Sequence, residues 1–193
     1  SPMPLLAAIA ARTKHIEIGT GVIDMRYENP LYLAEEAAAV DLISDGRLAL
    51  GVSRGSPETV VRGYEAFGYT GSTDPRGADL AREHFEGEGL AEGDVHSPFG
   101  GAAGPQRIEP HSPGLRSRVW WGAGNSESAE WAGRLGVNLM SSTLLTEASG
   151  EPFDVLQARQ IDAFRAAWRG AGHAGDPRVS VSRSIFPIVT DED

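Results

Sequence analysis

A strand, a capped helix and a second strand follow one another within residues 16–52. "IEIGTGVI" (16–23) alternates with period two, placing Ile16, Ile18, Thr20 and Val22 on one face of a strand. "ENPLYLAEEAAAVDLISDGR" carries both helix boundary signals: Asn29 as N-cap with Pro30 at the first helical position, and Gly46 closing the helix after Ser44 and Asp45. "LALGV" (48–52) is then a short apolar run, typical of a strand buried on both faces. Strands that alternate with helices in this way imply a parallel α/β sheet.

The same alternation continues elsewhere. Residues 3–13 read as a helix, with Leu6, Ala10 and Thr13 on one side and Leu5 and Ile9 beside them. A helical segment is expected near 57–66. Residues 68–118 hold much of the glycine and proline and several acids, including "EGEGLAEGD" and "SPFGGAAGP", and read as a long lid-like excursion from the core. Order returns with a strand at 119–121, a helix at 126–135, a strand at 137–142, a helix at 153–169 and a strand at 179–189. Ile161, Phe164 and Trp168 form a core-facing stripe on the last helix. Trp120 and Trp121 are neighbours in a strand, which predicts one facing inward and one outward. Five strands without an internal repeat fit an open sheet or part of a closed eight-stranded barrel, which usually needs ~250 residues.

With 193 residues, 40% of them apolar, the chain suits one globular domain over 1–193. No run of ~18 apolar residues is present, so no membrane span is expected. The first residues lack the cationic and apolar regions of a secretory signal, which leaves a cytoplasmic location as the default. The absence of cysteine excludes disulfides, thiolate zinc sites and cysteine nucleophiles. A net charge of -10, with Lys14 the only lysine, argues against a broad nucleic-acid or anionic-membrane surface. An anion site here is therefore local, made of one or two arginines and backbone N–H groups. The five histidines (15, 84, 96, 111, 173) show no metal spacing.

Three stretches carry candidate chemistry. "VWWGAGNSESAEWAGRLG" (119–136) runs a strand through a glycine turn into a helix. As a dinucleotide fingerprint it fails: Glu127 stands where a small residue belongs, and the motif lies past mid-chain. Its mechanism survives without the fingerprint. Gly122 and Gly124 let backbone approach a ligand, the helix N-terminus offers N–H groups to an anion, and Asn125 and Ser128 add side-chain donors. A ligand-free turn capped by Asn or Ser explains the same residues. "GVSRG" (51–55) fits the G-x-S-x-G elbow of serine hydrolases, with Ser53 as nucleophile and Asp154 and His173 as formal partners. Arg54 offers a different use, a guanidinium for a phosphate at a strand's carboxyl end. In "GTGV", Gly19 and Gly21 mark a strand approached closely by backbone or ligand, or small residues inside a curved sheet.

Together these stretches resemble the bacterial-luciferase-like flavin monooxygenase family. Residues 19–55 are similar to that family's "GTGV" strand and "NPLxLAEEAAxLDxLSxGRxxLGVxRG" block, and 119–136 to its "VWWGAGSxxSAxxAAxLG" segment. The resemblance covers most of 5–189 and is weakest over 68–118. It implies a (β/α)8 barrel, here incomplete, with about strands three to seven and a long insertion, and FMN or the deazaflavin F420 at the strands' carboxyl ends. By resemblance, Gly21-Val22 matches a cis peptide under the flavin ring, Arg54 the phosphate arginine and Ser56 a flavin contact. Gly124, Asn125 and Ser128 match groups that hold the ring edge and phosphate, and Arg76 a second phosphate arginine.

The family's first two strands, which bring a histidine and an acid to the flavin, have no counterpart, so no catalytic residue is assigned. The expectation is a portion of a ~330-residue protein, judged by the family's length and by barrel size, or a natural short relative like the non-fluorescent flavoprotein of luminous bacteria. The implied activity is flavin-dependent oxidation, a monooxygenase using reduced FMN and O2 on a small organic substrate. A flavin reductase partner and a homodimer come with it. A serine hydrolase at Ser53 and a flavin-binding protein without turnover are the alternatives.

Overall fold

The computed structural model describes residues 1–53, 91–92, 103–142 and 150–183. It divides into two compact units, Ser1–Trp120 and Trp121–Asp193.

The first unit opens with α1 (Met3–Arg12), then β1 (Ile18–Gly19), β2 (Ile23–Asp24), a 3-10 turn (Met25–Tyr27), α2 (Pro30–Ile43) and β3 (Leu48–Ser53). The short strands β4 (Ala91–Glu92) and β5 (Pro105–Gln106) pair antiparallel, and a second 3-10 turn (Leu115–Arg118) leads into β6 (Val119–Ala123). β6 carries the division between the units. The second unit continues with α3 (Ser126–Leu135), β7 (Asn138–Ser141), α4 (Phe153–Gly170) and β8 (Val179–Val181).

α2 forms where its caps require. Asn29 Oδ1 accepts from the N–H groups of Leu31 (3.0 Å) and Tyr32 (3.2 Å), Pro30 begins the helix, and Gly46 (φ +75°) follows its end. All six residues of β3 are buried, as an apolar strand covered on both faces should be. Leu33, Ala34, Ala37, Ala38 and Val40 of α2 form the core with it, and Met3, Leu6 and Ala10 of α1 extend it. Arg47, one residue before β3, closes the α1 end. Its guanidinium donates to the carbonyls of Ala10, Thr13, Ile16 and Ser44 and to Thr13 Oγ1, at 2.6–3.1 Å. Carbonyls at a helix C-terminus lack intrahelical partners, and this one side chain serves several of them.

The expected single strand over 16–23 is two short ones. β1 and β2 both run parallel to β3, in the registers Ile18↔Leu48, Gly19↔Ala49 and Ile23↔Val52, Asp24↔Ser53. Thr20 breaks the ladder between them. Its Oγ1 donates to Gly51 O at 2.7 Å and accepts from Gly51 N at 3.0 Å, so a hydroxyl takes the partners that backbone would otherwise hold. Ile16 lies before the paired region and is exposed. Gly19 is required by proximity: a Cβ there would sit 2.2 Å from Ala49 O.

Of the expected excursion over 68–118, most lies outside the described residues, as does the helix near 57–66. Its last part packs inward. Ser112 and Leu115 are buried, and Ser112 Oγ donates to Asp41 Oδ2 at 2.7 Å.

In the second unit β6, β7 and β8 lie side by side, and β7 pairs parallel with β8 in the register Leu139↔Val179. Trp120 and Trp121 are both buried, against the expectation of one outward ring. Helices and loops cover both faces of a parallel strand, so alternation does not make one face wet. α3 and α4 meet closely at Gly133, where a Cβ would come within 2.5 Å of Phe164 O. The buried line along α4 is Leu156, Gln157, Gln160 and Phe164 rather than Ile161, Phe164 and Trp168. It includes two glutamines that a search for apolar periodicity passes over. β8 is described from 179 to 181, and residues 184–193 lie outside the described set.

Candidate functional site

Each unit presents polar residues at the carboxyl ends of its strands. In the first unit the Gly21–Val22 peptide, between β1 and β2, is cis, as the resemblance implies. Just beyond, Asp24 ends β2 and accepts four hydrogen bonds from three donor groups of Arg26. Its carboxylate accepts from Arg26 N (2.9 Å), Nε (3.0 and 3.2 Å) and Nη2 (2.6 Å). The backbone bond starts the 3-10 turn and the bidentate ion pair fixes the guanidinium. The D-x-R spacing next to a strand end is the pair's one signal in the sequence. Arg54, Ser56 and Arg76 lie outside the described residues.

In the second unit β6 ends in Ala123 and the chain turns through Gly124 into α3. Asn125 caps that helix, its Oδ1 accepting from Ser128 N at 2.8 Å. Ser128 Oγ accepts from the indole N–H of Trp121 at 2.9 Å, and the Trp121 ring packs against Trp131 with centroids 4.5 Å apart. Indole can only donate. The Ser128 oxygen is thus engaged as an acceptor while its own proton remains a donor. Ser142 N donates to Ala123 O at 3.0 Å, tying the end of β7 to the end of β6. Gly124, Asn125 and Ser128 therefore stand together at one strand end, and Gly21 and Val22 at another.

The donor set in the second unit suits a phosphate. A helix N-terminus concentrates N–H groups and positive dipole, and a serine hydroxyl held as a donor adds to it. Among the described residues no group of three or more His, Asp or Glu side chains is arranged to hold a metal. No helix among them is long and apolar enough to cross a membrane.

The hydrolase alternative loses its geometry. A nucleophile elbow places serine on a sharp, strained turn after a strand. Ser53 is the buried last residue of β3, and among the described non-glycine residues only Asp45 has a positive φ. His173 Nε2 donates to Arg134 O at 2.8 Å, and its ring packs on Trp168. Asp154 is an exposed acid in the first turn of α4, where the helix dipole favours it.

A family model for luciferase-like monooxygenases matches residues 1–193. The chain belongs to the luciferase-like monooxygenase family. Among curated relatives, it is 29% identical over 150 residues to the oxygenase component of a flavin-dependent trigonelline monooxygenase of Acinetobacter baylyi, covering 75% of this chain and 40% of that protein. It is 28% identical over 185 residues to an F420-dependent glucose-6-phosphate dehydrogenase of Kribbella flavida, covering 93% of this chain and 51% of that one. Among solved structures, the monooxygenase RslO1 of Streptomyces bottropensis superposes with a TM-score of 0.68 at 26% identity, over 94% of this chain and 53% of that one. The chain thus spans about half the length of these relatives. Its α/β fold is part of the barrel of luciferase-like enzymes, as the sequence implied. The family is one of flavin-type oxidoreductases, and this chain is a member of an enzyme family.

Proposed function

We propose that this chain is the flavin-binding part of a two-component monooxygenase that takes reduced FMN and O2 and oxygenates a small organic substrate. The observation that carries the reading is the α3 N-terminus. There Asn125 sets the cap, and Trp121 leaves Ser128 with a proton to donate, beside the Gly124 turn. Gly124, Asn125 and Ser128 would hold the phosphate and ring edge. By sequence, Arg54, Ser56 and Arg76 would add contacts, and Gly21 and Val22 would support the ring. When bound, reduced flavin supplies the electrons that activate O2. The protein's residues bind, orient and exclude water. A flavin reductase is the proposed partner, in keeping with the oxygenase-component relative, and the proposed assembly is a homodimer.

The test is a titration of FMN, oxidised and reduced, into the purified protein, followed by flavin fluorescence and absorbance. Saturable binding in the micromolar range or tighter supports the reading, and absence of binding overturns it. Arg54→Ala should weaken binding ~10–100-fold, the loss of one charge-assisted contact. A second reading, F420 in place of FMN, has the dehydrogenase relative in its favour. A parallel F420 titration separates the two, since the tighter ligand is the cofactor.

A further inference from the structure

Gln157 and Gln160 stand three residues apart on the inner face of α4. Their residues are 3% and 1% exposed, deeper than glutamine usually lies. The Gln160 Oε1 accepts from Ser141 Oγ at 2.6 Å, and Ser141, the last residue of β7, is itself 2% exposed. The Nε2 groups of both glutamines are buried and meet no acceptor among the described residues. Buried amide donors are satisfied in the great majority of native proteins, by protein or by ordered water.

We infer that Gln157 and Gln160 hold an ordered water molecule between α4 and Ser141 at the carboxyl end of β7. Residues at i and i+3 on a helix are neighbours, so two amides can converge on one acceptor. The occupant is small because the amides are already enclosed. It is neutral because two uncharged amides cannot offset the cost of burying an anion. It must accept two hydrogen bonds and have protons to donate. Water does both, and Ser141 Oγ, which has spent its proton on Gln160, still has lone pairs to accept from it. The water then joins the helix to the strand end through both glutamines, where Gln160 alone makes one direct bond. This holds whether or not the chain binds a flavin.

The experiment uses the full chain. Rotating-frame NOE spectra of 15N-labelled protein should show cross-peaks from the side-chain amide protons of both Gln157 and Gln160 to a long-lived water. Gln157→Met keeps shape and volume but removes the donor. With a water bound, that variant should melt about 3–6 °C lower, as loss of a satisfied buried polar contact in a chain of this size predicts. Absence of water cross-peaks from both amides overturns the inference. A raised melting temperature in Gln157→Met also overturns it, because removal of an amide with no partner relieves a penalty.

Discussion

Arg118 Nη2 donates to Asp41 Oδ2 at 2.5 Å, joining residues 77 positions apart in sequence. Asp41 is wholly buried on α2, and it also accepts from Ser112 Oγ and from Leu48 N at 3.1 Å. One carboxylate thus fastens α2 to the start of β3 and to the segment before β6. Removing it leaves a guanidinium, a hydroxyl and a strand N–H without their partner. Asp41→Ala should cost about 2–4 kcal/mol, toward the lower end of the range for breaking buried pairs because Arg118 retains some access to water. Chemical denaturation reads the loss.

Gly133 is the contact point of α3 and α4. An added Cβ would meet Phe164 O at 2.5 Å, Ala167 Cβ at 2.9 Å and Trp168 N at 3.0 Å. Two of these are backbone, so nothing flexible can yield. Overpacking costs about 1–3 kcal/mol, while alanine regains up to about 1 kcal/mol of helix propensity. Gly133→Ala should therefore destabilise on balance, and a melting temperature equal to or above the parent's would show that the helices separate cheaply.

Asn125 separates folding from binding. Asn125→Ala loses the α3 cap and should lower stability by about 1 kcal/mol. Asn125→Asp keeps an oxygen to accept from Ser128 N and should retain that stability. It also sets a negative charge at the helix N-terminus proposed to receive the phosphate. FMN affinity should fall in the aspartate variant, while riboflavin, which lacks the phosphate, should be much less affected. Equal losses for the two ligands would move the phosphate elsewhere.

Burial raises the Glu28 carboxyl above its ordinary value of 4.5, and Glu36 adds to the rise. An acid with a raised folded pKa is ionised at some cost to the fold when the pH lies above that value. The cost fades as pH falls through the raised value and is gone below 4.5, where folded and unfolded chains both hold the proton. Glu28→Gln should therefore give a small gain in stability at neutral pH. It should also flatten the stability profile between 4.5 and the raised value, as melts across that window would show.

The helices were legible wherever local chemistry marks both ends. Asn29, Pro30 and Gly46 delimit α2, and α3 has the expected bounds of 126 and 135, with Asn125 capping its start and Gly136 (φ +76°) ending it. Period-two alternation persists through Thr20 and predicts one strand over 16–23, while the event that ends β1 is a side-chain bond to Gly51, 31 residues away. Burial of both Trp120 and Trp121 depends on what covers β6, which no local pattern encodes. The Asp41 cluster was hidden for the same reason, since its partners lie far apart in sequence. Of the candidate site, the glycine turn and its two polar residues were readable. The Trp121–Ser128 bond, which decides how Ser128 can act, was not.

At Gly136, with φ +76°, the ring of His173 lies close enough that a Cβ would come within 2.7 Å of it, and His173 Nε2 binds the Arg134 carbonyl inside the last turn of α3. Most helices fray from their ends. Here the terminal turn of α3 is latched by a residue that follows α4, so it cannot loosen without first unseating the chain beyond α4. The C-terminal amides of α3 should thus exchange with solvent at the pace of the whole α3–α4 pair, and the two helices behave as one cooperative block.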